Sequence, residues 1–188
     1  MGEMRARAGE IGAPFYLLSD HGFCGIEREF YLNKWLEQEG FLSLDGDKKD
    51  SFASIAAGTR AFALDPNRIY INVAGKYPRG AVRPGDVAAL KTDIKGRLLA
   101  LAHDGRPVFR EIFDRDDIYD GPHAASGPDL VAVAHNGFDV KAHLGKSEVF
   151  AKTNLTGMHT YDDAVFWAAE PPANVHITDL ADIIMAHF

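Results

Sequence analysis

Three short runs in the sequence are apolar from end to end: Phe15-Tyr16-Leu17-Leu18, Leu130-Val131-Ala132-Val133-Ala134 and Ala164-Val165-Phe166-Trp167-Ala168. Runs of strand length with no polar side imply strands covered on both faces, the habit of parallel or mixed sheets. Arg68-Ile69-Tyr70-Ile71-Asn72-Val73 alternates instead, with Ile69, Ile71 and Val73 on one face, so its other face meets water. Three helices are expected between these strands. Asn33 caps a short one carrying Trp35 and Leu36 and closed by Gly40. The longest, 86–102, follows Pro84-Gly85 and places Val87, Leu90, Ile94, Leu98 and Leu101 in one stripe. Thr178 caps the last, with Leu180, Ile183 and Ile184 facing inward. Polar stretches at 45–58 and 114–128 read as loops. The pattern is that of an α/β protein.

At 188 residues the chain has the length of a single domain spanning 1–188, with a core of ordinary size and a small insert at 45–129 carrying Ile69 to Val73. The 27 acidic residues against 20 basic ones argue against a nucleic-acid grip, which calls for a basic face. A lone cysteine, Cys24, excludes a disulfide framework and a cysteine-rich zinc site, and no base is evident to activate it. No apolar run nears the roughly 18 residues of a membrane helix, and the charged start is unlike a signal peptide. A cytoplasmic location is therefore expected. Asn154-Leu155-Thr156 is a formal glycosylation sequon, relevant only to a secreted chain.

Ser19-Asp20-His21-Gly22-Phe23 is the sharpest chemical feature. An apolar strand delivers a carboxylate and an imidazole to its C-terminal end, where α/β sheets bind ligands, and Gly22 eases the turn. Oxygen plus imidazole suits zinc, manganese or iron. His159, in Gly157-Met158-His159-Thr160-Tyr161-Asp162-Asp163, lies in a polar setting rather than on an apolar face. Asp139 and His143 have a ligand-pair spacing, but that spacing serves a helix, and their neighbours read as strand and turn.

Taken together, several segments resemble the type I phosphodiesterase/nucleotide pyrophosphatase branch of the alkaline phosphatase superfamily. They are Ser19 to Phe23, Phe30 to Leu36, Gly40-Phe41-Leu42, Ile69 to Asn72 with Gly80, Ile118-Tyr119 with Gly121, Pro128-Asp129-Leu130, and Gly157-Met158-His159. Their order is the family's order, from about Pro14 to the end of the chain. The resemblance implies an alkaline-phosphatase-like mixed sheet flanked by helices; with the apolar runs, it leads to the expectation of a central 14–19 strand and an 86–102 helix packed on or beside that sheet. It also implies two divalent metal ions, zinc first and manganese as the alternative. Asp20 and His21 would hold one ion and His159 would help hold the other. A phosphate ester would be the substrate.

The family's early Asp, its Thr or Ser nucleophile and its Asp-x-x-x-His pair all precede the Ser-Asp-His-Gly motif. Here 18 residues precede it and carry none of these, so no catalytic residue is assigned. The expectation is the C-terminal half of a two-metal phosphoric-ester hydrolase, inactive alone, whose partner is the missing N-terminal half. The alternative is a non-catalytic binding module built on the same half of the fold.

Overall fold

The structure, a computed structural model, describes residues 1–46 and 50–187. Residues 47–49, part of the expected 45–58 loop, lie outside the described residues. The first elements are α1 (Gly2–Glu10), β1 (Leu17–Leu18), β2 (Gly22–Gly25), β3 (Arg28–Tyr31), α2 (Leu32–Gln38), β4 (Ala61–Phe62) and β5 (Arg68–Ile71). Next come α3 (Val87–Ala100), β6 (Ala102–His103), β7 (Arg106–Pro107), β8 (Phe109–Asp114), α4 (Arg115–Ile118) and β9 (Leu130–Ala134). The chain finishes with β10 (Phe138–Lys141), β11 (Phe150–Ala151), β12 (Gly157–Thr160), β13 (Phe166–Trp167) and α5 (Leu180–Met185). Helices and strands are mixed, as the pattern of apolar runs implied. They form two compact units: Met1–Cys24 with Gly157–Phe188, and Gly25–Thr156, within which the stretch 45–129 lies.

The Gly25–Thr156 unit holds the hydrophobic core. Its four-stranded sheet runs β4-β5-β9-β8 with antiparallel pairing throughout. Ile69 and Ile71 of β5 are buried, on the face that their alternation predicts. Helix α3 buries Leu90, Ile94 and Leu98 and packs against β8, where Lys91 and Lys95 both pair with Asp114. The helix stripe is as expected, but it covers this sheet rather than the strand at 14–19. A second sheet, β10-β3-β11, is mixed: β10 runs parallel to β3 and β11 antiparallel to it.

Asn33 is not a cap. It lies inside α2, fully buried, and its amide donates to the carbonyls of Ala63 (2.8 Å) and Ala142 (2.7 Å) while accepting from the Ala63 N–H (2.8 Å). Tyr31 precedes the helix instead, and Gly40 follows it with a φ of +75°. A buried amide that satisfies three backbone groups from two distant segments gains more than a cap on a seven-residue helix would.

The unit built from the two ends of the chain is thinner. Among its described residues only Thr160 and Ala168 are buried. Strands β2 and β12 pair as one two-stranded ribbon. A second joins β1 to β13, antiparallel, with Leu17 opposite Trp167 and Leu18 opposite Phe166. The run at 15–18 is therefore not a central strand. Leu17 is 36% exposed and Leu18 42% exposed, because β13 is the one strand paired with β1 among the described residues. The Ala164 to Ala168 run likewise leaves Val165 exposed. No residue of α5 is buried, and Thr178 lies in the short 3₁₀ turn before it rather than at its cap.

Candidate metal-binding site

Ser19 anchors the turn that leaves β1. Its N–H donates to the Val165 carbonyl at 2.9 Å, and its Oγ accepts from the Val165 N–H at 2.8 Å. This pair of hydrogen bonds fixes the backbone immediately before Asp20 and His21. The His21 Nδ1 lies 2.8 Å from the Gly22 carbonyl, an acceptor, so the ring proton belongs on Nδ1. In the neutral ring Nε2 then keeps its lone pair, the tautomer that metal-ligating histidines adopt.

Asp20 Oδ1 sits 3.4 Å from that Nε2. This is long for a hydrogen bond, about 2.7–3.2 Å, and a lone pair facing a carboxylate is repulsive unless a cation lies between them. Two ligands of one tetrahedral zinc, each about 2.0–2.2 Å from the ion, stand about 3.4 Å apart. The donor separation fits such an ion.

His159 comes from β12 rather than from a loop. Its ring stacks on that of His21 with centroids 3.8 Å apart and planes 25° apart. Imidazole lone pairs lie in the ring planes, so two rings stacked face to face cannot both aim at one ion. They can serve two neighbouring ions, which in paired sites sit about 4 Å apart. Phe23, in β2 two residues after His21, has its ring centroid 5.8 Å from that of His159. A Cβ on Gly157 would overlap the Phe23 ring, so the glycine two residues before His159 leaves that ring its place.

Thr160 and Asp163 pack against Gly22. The Thr160 hydroxyl donates to the Asp163 carboxylate, and a Cβ on Gly22 would overlap both groups. The sequence singled out Gly22 as a turn former, whereas its place in the structure is that of a residue another chain segment lies against. The three donors expected from the sequence, Asp20, His21 and His159, are thus brought together. In number they are fewer than two ions require, and no group of three or more His, Cys, Asp or Glu positioned to hold a metal occurs among the described residues. Asp139 and His143 lie in the other unit and are engaged there, Asp139 with Lys141 at 2.6 Å and His143 stacked on Tyr31. Cys24 is a free, half-exposed thiol.

The description type I phosphodiesterase / nucleotide pyrophosphatase belongs to a family model that matches residues 1–162, a span holding all three donors. The chain belongs to the type I phosphodiesterase / nucleotide pyrophosphatase family. No curated protein and no solved structure matches it. That membership places it among phosphoric-ester hydrolases. Several other residues on which the phosphodiesterase resemblance rests have structural duties. Asp129, almost fully buried, accepts from the Ile71 N–H at 2.8 Å and from Arg115 at 3.0 Å. Asn72 donates to the carbonyls of Thr59 and Arg79. Gly80 lies so close to the Val73 carbonyl that a Cβ would overlap it. No helix among the described residues is long and apolar enough to cross a membrane.

Proposed function

We propose that this chain supplies part of the two-metal centre of a phosphodiesterase or nucleotide pyrophosphatase. Asp20 and His21 hold one divalent ion, zinc or manganese, and His159 contributes to a second. The observation that carries this reading is the Asp20–His21 pair: 3.4 Å apart, with the other ring nitrogen engaged on the Gly22 carbonyl. When bound, such ions activate an attacking oxygen and neutralise charge on the transferring phosphoryl group. The chain's own residues set the stage for that. Ser19 fixes the turn, Gly22 admits the Thr160–Asp163 pair, and the stacked rings hold two imidazoles in neighbouring planes 25° apart.

A catalytic zinc needs three protein ligands and an open position. Two donors on one ion and one on the other fall short of that, and no residue is assigned as nucleophile. Hydrolysis therefore requires further ligands and a nucleophile besides these residues. The same shortfall favours a second reading, a non-catalytic module that binds a single ion through Asp20 and His21.

Calorimetric titration of Zn²⁺ and Mn²⁺ into the purified chain tests the assignment. Binding should weaken about 10–100-fold in His21→Ala and in Asp20→Ala, and stay unchanged in Asp139→Ala, each variant first checked for its native circular dichroism. Absence of binding, or binding indifferent to the first two substitutions, would refute it. A stoichiometry of one ion that His159→Ala leaves intact would select the single-ion module.

A further inference from the structure

We infer that a cavity beside Asp20 receives a small, neutral, apolar organic group, aryl or short alkyl, carried by the phosphate ester. The inference rests on the proposed role of Asp20 and His21 as holders of the ion nearest the phosphoryl group. The cavity measures about 220 Å³ and lies wholly within the unit formed by the chain's two ends. Asp20 is one of the residues of its wall, whereas His21 and His159 are not, so the cavity meets the proposed ion site on its Asp20 side.

The rest of the wall sets the chemistry. Leu18, Val165, Phe166 and Ile177 line it, and Leu18, Val165 and Ile177 are apolar side chains left open to water. Covering such a surface with an apolar group removes it from water, the general source of affinity in ligand pockets. Ser19, Tyr161 and His176 add polar groups to the wall, the His176 Nδ1 lying 3.1 Å from the Thr178 hydroxyl; Asp20 is its one carboxylate, and no Lys or Arg lines it among the described residues. A second phosphate or a carboxylate would meet no lysine or arginine there, with His176 the one ionisable base, and would lie beside Asp20. Size decides the rest. Pockets for drug-sized ligands run about 300–1,000 Å³, so this one suits a single ring or a short chain.

The test is two-dimensional ¹H–¹⁵N NMR of the full chain with four probes: phenol, phenyl phosphate, inorganic phosphate and choline. Phenol should shift the amides of Leu18, Val165, Phe166 and Ile177 with or without Zn²⁺, and choline should not. With Zn²⁺ present, phenyl phosphate should bind roughly 10–100-fold tighter than inorganic phosphate, the gain expected from burying one aryl ring. Ile177→Ser should erase most of that gain and leave Zn²⁺ affinity unchanged; Ile177 is 56% exposed, so the variant keeps its fold. Absence of phenol shifts at these residues overturns the inference, as does choline shifting them in its place. So does a phenyl phosphate affinity no better than that of inorganic phosphate, or a gain that survives Ile177→Ser. Failure to bind Zn²⁺ refutes the proposed function instead, and the phenol arm still decides whether the cavity takes an apolar ring.

Discussion

The ring of His159 lies flat on the ring of His21, 3.8 Å between centroids, and so ties β12 to β2 near the two ends of the chain. Two neutral imidazoles in this arrangement gain only the modest stacking energy of an aromatic pair, about 0.5–1.5 kcal/mol. The ribbon they join has almost no core beneath it, since Thr160 and Ala168 are the only buried residues described in that unit.

Hydrogen exchange should report this contrast. Amides of β2 and β12 are expected to exchange far faster than those of β8 and β9, whose neighbours Ile69, Ile112 and Leu130 are buried. Adding Zn²⁺ should slow exchange at His21 to Cys24 and at Gly157 to Thr160 while leaving β9 unchanged. Equal protection in the two units without metal would contradict the expectation.

Gly22→Ala should destabilise the unit made by the chain ends by about 1–3 kcal/mol, because its methyl group would displace the Asp163 carboxylate from the Thr160 hydroxyl. Gly25→Ala, in the same strand, is the control: its methyl would stand 3.9 Å from the Thr156 carbonyl, an ordinary contact. Chemical shifts of Thr160 and Asp163 in the two variants distinguish the outcomes.

Asn33→Ala should cost about 3–5 kcal/mol, measured as a lowered urea midpoint at constant slope. It strands the buried carbonyls of Ala63 and Ala142 and the Ala63 N–H, and each unsatisfied group costs about 1–3 kcal/mol. A loss below 1 kcal/mol would mean that water or a backbone shift replaces the amide.

Alkaline pH should weaken the Gly25–Thr156 unit through Tyr31. Burial, the hydrogen bond to Glu29 and the charge of Glu29 push the Tyr31 hydroxyl up to about 12 from an ordinary value of 10.0. A raised value in the folded state means stability intact below pH 10 and lost as the pH climbs toward 12, by roughly 2–3 kcal/mol in all. Glu29 acts at the other end of the scale. Burial raises it, but the hydroxyls of Tyr31 and Thr153 and the charges of Lys141 and Lys146 outweigh that and hold it below the usual carboxylate range. Its contribution is present above that range and disappears as the pH falls through its folded value. Denaturant titrations in steps from pH 9 to 11.5 should show the slope in wild type and a flatter one in Tyr31→Phe, which also narrows acid stability by removing one donor to Glu29.

The purified chain should hydrolyse an activated aryl phosphodiester well below about 1 s⁻¹, an ordinary enzymatic rate, even with Zn²⁺ or Mn²⁺. A rate above that value, abolished by His21→Ala, would show that the three donors already suffice or that a second copy completes them.

Much of the Gly25–Thr156 unit was legible in the sequence, since the 3.6-residue stripe of Leu90, Ile94 and Leu98 and the alternation of Ile69 and Ile71 are direct records of burial. The apolar run at 15–18 misled for the same reason. Hydrophobicity states that Leu17 and Leu18 would gain from being covered, not which segment covers them. Asn33 misled because its short amide suits a helix cap as well as a buried clasp, and the choice rests on Ala63 and Ala142, distant in sequence. At the candidate site the closeness of Asp20, His21 and His159 was expected from the two motifs that carry them. The duty of Thr160 and Asp163 was not, because it appears only once β12 lies beside β2.

The unit that carries these donors is sewn from residues 1–24 and 157–188, whereas the core-bearing unit is one continuous stretch. During synthesis the continuous stretch can collapse as soon as it has left the ribosome. Asp20 and His21 must wait until the intervening core-bearing stretch has been made before His159 reaches them. A premature stop just after residue 156 would thus leave the core-bearing stretch whole with half of each ribbon, and an assay that scores folding alone would pass over the loss.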